Sequence, residues 1–147
     1  MKKNNDALFY TCSLIEFIAR KTKNTRADII TSLGEDLQRI YRHADVFHCE
    51  PIEKVADDFI QKDAISQGNF ELGARSRYAV PDYWDLAEVF QRLIEDSYDE
   101  ANVITGIRAV FSSWITEKLL NFNSDLYYQP REYLALCYAE GRIAESF

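Results

Sequence analysis

A chain of 147 residues with 47% hydrophobic and 14% aromatic side chains has ample material for a packed core, which excludes global disorder. Its formal net charge of -7 is uneven: residues 1–70 carry 10 basic and 11 acidic side chains, whereas residues 71–147 carry 7 and 13. An acidic second half repels phosphate backbones and favours a basic partner, although the same residues also serve simply to keep an aromatic-rich surface in solution.

Only five Gly and three Pro leave little room for the closely spaced turns of an all-β fold. The apolar residues recur instead at three- and four-residue spacing, the period of amphipathic helices. Asp6 is the expected N-cap of a first helix reaching about Lys21. Leu8, Cys12, Ile15 and Ala19 form its stripe, and Leu14, Phe17 and Ile18 widen it, as in a central helix touched on several sides. Thr25 caps a short second helix with Ile29, Ile30 and Leu33; Asp28 sits at the capping-box position and Gly34 provides a left-handed end. A third helix carries Leu37, Ile40, Tyr41 and Ala44. Pro51 starts a fourth, with Ile52, Val55, Ala56, Phe59 and Ile60 inward and Glu53, Lys54, Asp57, Asp58 and Gln61 outward.

Residues 66–80, with Gly68 and Gly73, form the expected connection between two halves. The pattern restarts at Pro81 with Tyr83, Leu86, Ala87, Phe90, Leu93 and Ile94. Asp99 is placed to cap a longer helix through Ile104, Ile107, Phe111, Trp114, Ile115 and Leu119, which Gly106 weakens or bends. A polar and aromatic connection, 121–129, leads to Pro130 and a last helix with Tyr133, Leu134, Cys137 and Tyr138. The expectation is an all-α bundle of about six or seven helices, halves 1–65 and 81–147 packing as one globule.

Cys12, Cys49 and Cys137 are odd in number, widely spaced and free of CxxC spacing, which argues against a disulfide framework and a structural zinc site. They are expected as buried free thiols. The first six residues lack the apolar run of a signal peptide, and no segment approaches about 18 consecutive apolar residues. The expectation is a cytoplasmic protein with no membrane span.

Part of the first half resembles a known pattern. Tyr10, Cys12, Ile15, Glu16 and Ala19 are followed by the Val46-Phe47-His48 junction and by Val55-Ala56-Asp57-Asp58-Phe59-Ile60. Over Phe9–Ile60 this order resembles a family of very short bacterial helical proteins of unknown function, encoded beside an ADP-ribosyltransferase-like protein in a toxin–antitoxin-like arrangement. The resemblance implies a small, partner-associated role and transfers no catalytic residue.

Several constellations carry chemistry. His43, His48 and Cys49 are metal-ligand types, but two histidines five apart across a helix end, without HExxH or CxxC, do not make a zinc site. The favoured role for His48 is a backbone hydrogen bond near the Pro51 helix, with Cys49 buried; a Cys-His nucleophile lacks an orienting third group. Asp57, Asp58, Glu95, Asp96, Asp99 and Glu100 are read as solvated helix faces, not as tuned acid–base pairs. Arg75-Ser76-Arg77-Tyr78 is the one basic-aromatic cluster, suited to internal ion pairs, to a partner contact or to a nucleotide. Thr25 to Ala44 has the outline of a helix-turn-helix, but Arg39 and Arg42 are opposed by Glu35 and Asp36. Tyr127 and Tyr128 form an expected interface patch.

The leading expectation is a non-enzymatic protein-interaction or regulatory module, antitoxin-like, that covers the functional surface of a protein partner such as a toxin-like enzyme. No cofactor or metal is expected, and self-association is open. Two alternatives stand beside it. One is a small enzyme or nucleotide-binding protein using Arg75, Arg77 and His48, and the other is a helix-turn-helix regulator.

Overall fold

A computed structural model describes residues 1–145. The broad apolar stripe near the N-terminus becomes α1, Asp6–Thr22, a helix buried on most of its circumference. Its cap is Asn5 rather than the expected Asp6: the Asn5 Oδ1 accepts the Leu8 N–H at 3.0 Å. Asp6 occupies the first helical position, where a carboxylate still complements the positive end of the helix dipole. At the far end Lys23 turns left-handed, and the Asn24 N–H closes on the Ala19 carbonyl at 3.1 Å.

The remaining helices are α2 (Arg26–Leu33), α3 (Asp36–Arg42), α4 (Ala44–Phe47), α5 (Ile52–Lys62), α6 (Tyr83–Ser97), α7 (Val103–Phe111), α8 (Trp114–Leu119) and α9 (Arg131–Glu140). Among the described residues the protein is all-helical, with nine α-helices, two short 3-10 turns and no strand. The count exceeds six or seven because two expected segments divide. The third splits at His43 into α3 and α4. The long segment after Asp99 splits at Ser112–Ser113, not at Gly106.

The break has a local cause. Ser113 Oγ and Thr116 Oγ1 both donate to the Val110 carbonyl at 2.7 Å, and the Ser113 N–H reaches it at 3.1 Å. Side-chain donors thus hold the acceptor that would continue the α-helical ladder. Gly106 serves packing instead: a Cβ there would lie 2.7 Å from the Tyr98 ring. Asp99 caps the 3-10 turn Glu100–Asn102, which leads into α7.

α1 lies at the centre, packed most extensively on α6 and also on α2, α3, α4 and α5; α6 in turn carries α7 and α9. One apolar cluster runs through both halves, from Leu8 and Leu14 on α1 to Phe90 on α6, Phe111 on α7 and Leu134 on α9. Phe90 and Phe111 stack with centroids 4.4 Å apart.

Two buried polar clusters cross this core. Glu16 on α1 accepts from Arg26 Nε at 2.7 Å and also from Arg26 Nη2, while Arg20 Nε reaches it at 2.7 Å. Glu95, expected on a solvated face, is 2% exposed. It accepts the Asn5 N–H at 2.8 Å, Gln91 Nε2 at 3.1 Å and Arg131 Nη2 at 3.2 Å, tying the start of α1 to α6 and α9. A buried carboxylate is tolerated where such donors replace its water.

Candidate functional site

The segment 66–80 crosses the surface as a strap. Its first part is tied to the end of α1: Gly68 N–H to the Thr22 carbonyl at 2.7 Å, Phe70 N–H to the Lys23 carbonyl at 2.8 Å, and Asn24 Nδ2 to the Ser66 carbonyl at 2.8 Å. Its second part is held by one side chain. Asn123 Oδ1 accepts the Arg77 N–H at 2.8 Å, and Asn123 Nδ2 donates to the Arg75 carbonyl at 2.8 Å. Both functions of the amide are used on the two residues that matter most in the basic-aromatic cluster. Ser76 Oγ stiffens the same turn, accepting the Tyr78 N–H at 3.2 Å and donating to the Tyr78 carbonyl at 2.8 Å.

This clamp brings together residues that are fifty positions apart. Tyr78 and Tyr128 meet edge to face at 6.5 Å, and Tyr128 meets Tyr127 at 5.1 Å. Tyr127 in turn packs on buried Phe122 at 5.5 Å. Tyr78 remains 60% exposed and Tyr128 55%, so an aromatic surface projects from a rigid base. Burial, followed by the nearby Asp85 charge, holds the Tyr127 phenol above its ordinary pKa. Arg75 and Arg77 are exposed, and among the described residues neither forms an ion pair. The internal salt bridges expected of them are not found among the described residues: Asn123 engages their backbone, and both residues are exposed.

Beside this patch lies a cleft of about 640 Å³ between the start of α2, residues 70–76, α8 and the 121–123 turn. Arg75 lines it, as do Arg26 and Phe70, whose ring lies 5.7 Å from the Arg26 guanidinium carbon.

His48 lies elsewhere. It is exposed, meets the Tyr10 ring edge at 5.6 Å, and lines a larger cleft of about 1000 Å³ bounded by α1, α3, α4 and the starts of α5 and α6. The expected backbone role for its side chain is not seen. Cys49 is exposed rather than buried, its thiol 3.4 Å from the Asp45 carbonyl, because α4 ends in a turn that carries residues 48–50 away from the core. Cys12 and Cys137 are buried, and all three thiols are free. Burial, with Glu95 and Glu16 adding to it, pushes the Cys12 thiol well up, which suppresses its thiolate.

The convergence that an enzyme built on Arg75, Arg77 and His48 requires is missing, since Arg75 and His48 line different clefts. Among the described residues no group of three or more His, Cys, Asp or Glu side chains is placed to hold a metal ion. The helix-turn-helix outline is occupied by internal contacts: Arg26 is buried against Glu16, and Arg39 pairs with Asp36 at 3.7 Å and covers the Phe47 and Phe59 rings. No helix among the described residues is long and apolar enough to cross a membrane.

Comparison with known protein families, with curated proteins and with solved structures returns no match. The site therefore rests on its own geometry. That geometry joins five of the six residues singled out in the sequence and separates the sixth. Asn123, which makes the junction, carries no sequence signal beyond its place in a polar turn.

Proposed function

We propose that this chain is a non-enzymatic protein-interaction module that docks on a partner protein through Arg75, Arg77, Tyr78, Tyr127 and Tyr128. The supporting observation is the double hydrogen bond of Asn123 to Arg75 and Arg77, which preorganises two separate segments into one exposed aromatic surface with free guanidinium groups. Tyr and Arg are enriched in binding hot spots: Tyr buries large area at low rotamer cost, and Arg forms directional, charge-assisted hydrogen bonds. The partner surface that fits presents carboxylates to the two arginines and an apolar side chain to Tyr78 and Tyr128. The acidic remainder of the chain does not prevent this, since charges beyond about 8 Å are screened at physiological salt. The narrower, antitoxin-like form, in which the module covers a toxin-like enzyme, rests on the resemblance of Phe9–Ile60 alone.

The test is affinity capture of the whole chain from its native host, compared with Tyr128→Ala and with Asn123→Ala. Both side chains lie at the surface, so the helical circular dichroism signal should be unchanged. The expected result is a partner recovered with the parent chain and lost with both variants. The same partner recovered equally with all three would sink the docking surface, and self-association abolished by the same substitutions would make the partner a second copy.

A further inference from the structure

The larger cleft, away from the docking surface, has a chemistry of its own. Its walls are aromatic: Phe9, Tyr10, Tyr41, His48, Tyr83 and Trp84 all line it, and Trp84 is half exposed. Its charged lining is mostly acidic, with Asp6, Asp45 and Glu50 against the single lining cation Arg42. Glu50 also pairs with Lys54 at 3.0 Å, a lysine it shares with Asp58 at 3.1 Å, so the local balance stays negative. The field reaches the rings, since Glu50 disfavours ionisation of Tyr10, and Glu53 and Asp82 that of Tyr83, in each case adding to burial.

Two hydroxyls mark the cleft as incomplete. Tyr10 and Ser13 are each more than nine-tenths buried and line it, and neither Tyr10 Oη nor Ser13 Oγ has a hydrogen-bond partner. Buried polar groups are ordinarily satisfied, and a hydroxyl can accept as well as donate, so this pair leaves hydrogen-bonding capacity for a ligand while the surrounding charge selects its sign. Aromatic faces with carboxylates around them attract cations, through the ring quadrupole and through charge.

We propose that this cleft binds an organic ammonium ion bearing N–H donors, its alkyl part against Tyr83 and Trp84 and its charge near Asp45 and Glu50. A phosphate or carboxylate ligand is disfavoured by the same field. The ammonium group belongs either to a free amine or to a lysine side chain of a peptide, and both share the recognition chemistry. The inference stands apart from the docking surface, whose residues do not line this cleft.

The experiment is a nuclear magnetic resonance titration of the whole chain with n-butylammonium chloride, with 1-butanol as the neutral isostere and tetramethylammonium as the cation without N–H donors. Butylammonium should shift the Tyr10, Ser13, His48 and Trp84 signals in a saturable way, more tightly than either control. Asp45 and Glu50 are exposed, so the Asp45→Asn/Glu50→Gln double variant should keep its fold and bind butylammonium about five- to tenfold more weakly. Trp84→Leu should weaken it about threefold or more through loss of the ring face. A lysine-containing peptide and its acetylated form then identify the source: preference for the unmodified peptide over butylammonium assigns a side chain, and the reverse a free amine. Equal binding of butanol and butylammonium, or an unchanged affinity in the double variant, would overturn the proposal.

Discussion

Glu16 is the residue whose alteration most directly probes the physics of this core. Its carboxylate and the Arg26 guanidinium are both fully shielded from solvent, and they form a bidentate pair through Arg26 Nε and Nη2. Arg20, whose side chain is 25% exposed, supplies a second cation to the same carboxylate. Glu16→Gln keeps the shape and removes the negative charge, leaving a guanidinium buried without a counter-ion. Breaking a buried pair from one side costs about 3–5 kcal/mol, mostly because the remaining charge stays desolvated. At about 2–4 °C per kcal/mol for a domain of this size, the melting temperature should fall by roughly 6–20 °C. Urea denaturation followed by circular dichroism at 222 nm measures the loss directly. Arg20→Ala provides the contrast: Glu16 and Arg26 remain paired, and the cost should be about 1 kcal/mol or less. Replacing both buried partners, Glu16→Leu with Arg26→Met, should recover much of the stability lost in Glu16→Gln. A loss below 1 kcal/mol in Glu16→Gln, or a double variant no more stable than it, would refute the desolvation argument.

Three further outcomes follow from local structure. Of the three thiols, Cys49 alone should react rapidly with a water-soluble disulfide reagent, and Cys12 and Cys137 should react only on unfolding; a second fast thiol in the native protein would contradict the burial described. Asp63 and Asp36 lie within hydrogen-bond reach, and burial, then the Asp36 hydrogen bond and charge, hold Asp63 above its ordinary pKa. Burial is also the largest influence on Asp36 and opposes its ionisation, but Lys62 at 2.6 Å, the Asp63 hydrogen bond and the Arg39 charge together outweigh it and leave that carboxyl below its ordinary value. The contribution of Asp63 is present below its unfolded pKa and lost as pH rises through the folded one, so Asp63→Asn should gain stability over the parent chain from about pH 4 to 7. Thermal melts across that range check this, and a gain confined to acid would reverse the sign. Gly106→Ala should destabilise by about 1 kcal/mol, because overpacking against the Tyr98 ring costs about 1–3 kcal/mol and helix propensity returns only about 1. A variant more stable in urea would show that the α6–α7 contact yields freely.

The all-helical class, the Thr25 cap, the starts after Pro51 and Pro130 and the core stripes of α1, α5 and α6 were legible in the sequence, because periodicity and capping are local properties. The division at Ser112–Ser113 depended on which donors capture the Val110 carbonyl, and periodicity carries no record of that competition. Glu95 and Cys49 exchanged their expected environments for a related reason: one turn of α6 faces Asn5 and Arg131, and the end of α4 turns outward. Spacing marked Glu16 and Arg20 as neighbours on one helix, but not Arg26, which reaches the same carboxylate from α2.

Six candidate residues stand out in the sequence for their chemistry, and only tertiary contact sorts them. Asn123 joined Arg75, Arg77 and Tyr78 to Tyr127 and Tyr128, while α1, α3 and α4 carried His48 into a separate aromatic and acidic cleft. Residue type and spacing determine which elements form and which side chains are reactive. The docking of a strap and the convergence of helices decide which of those side chains share a site, because proximity between distant segments is created by packing.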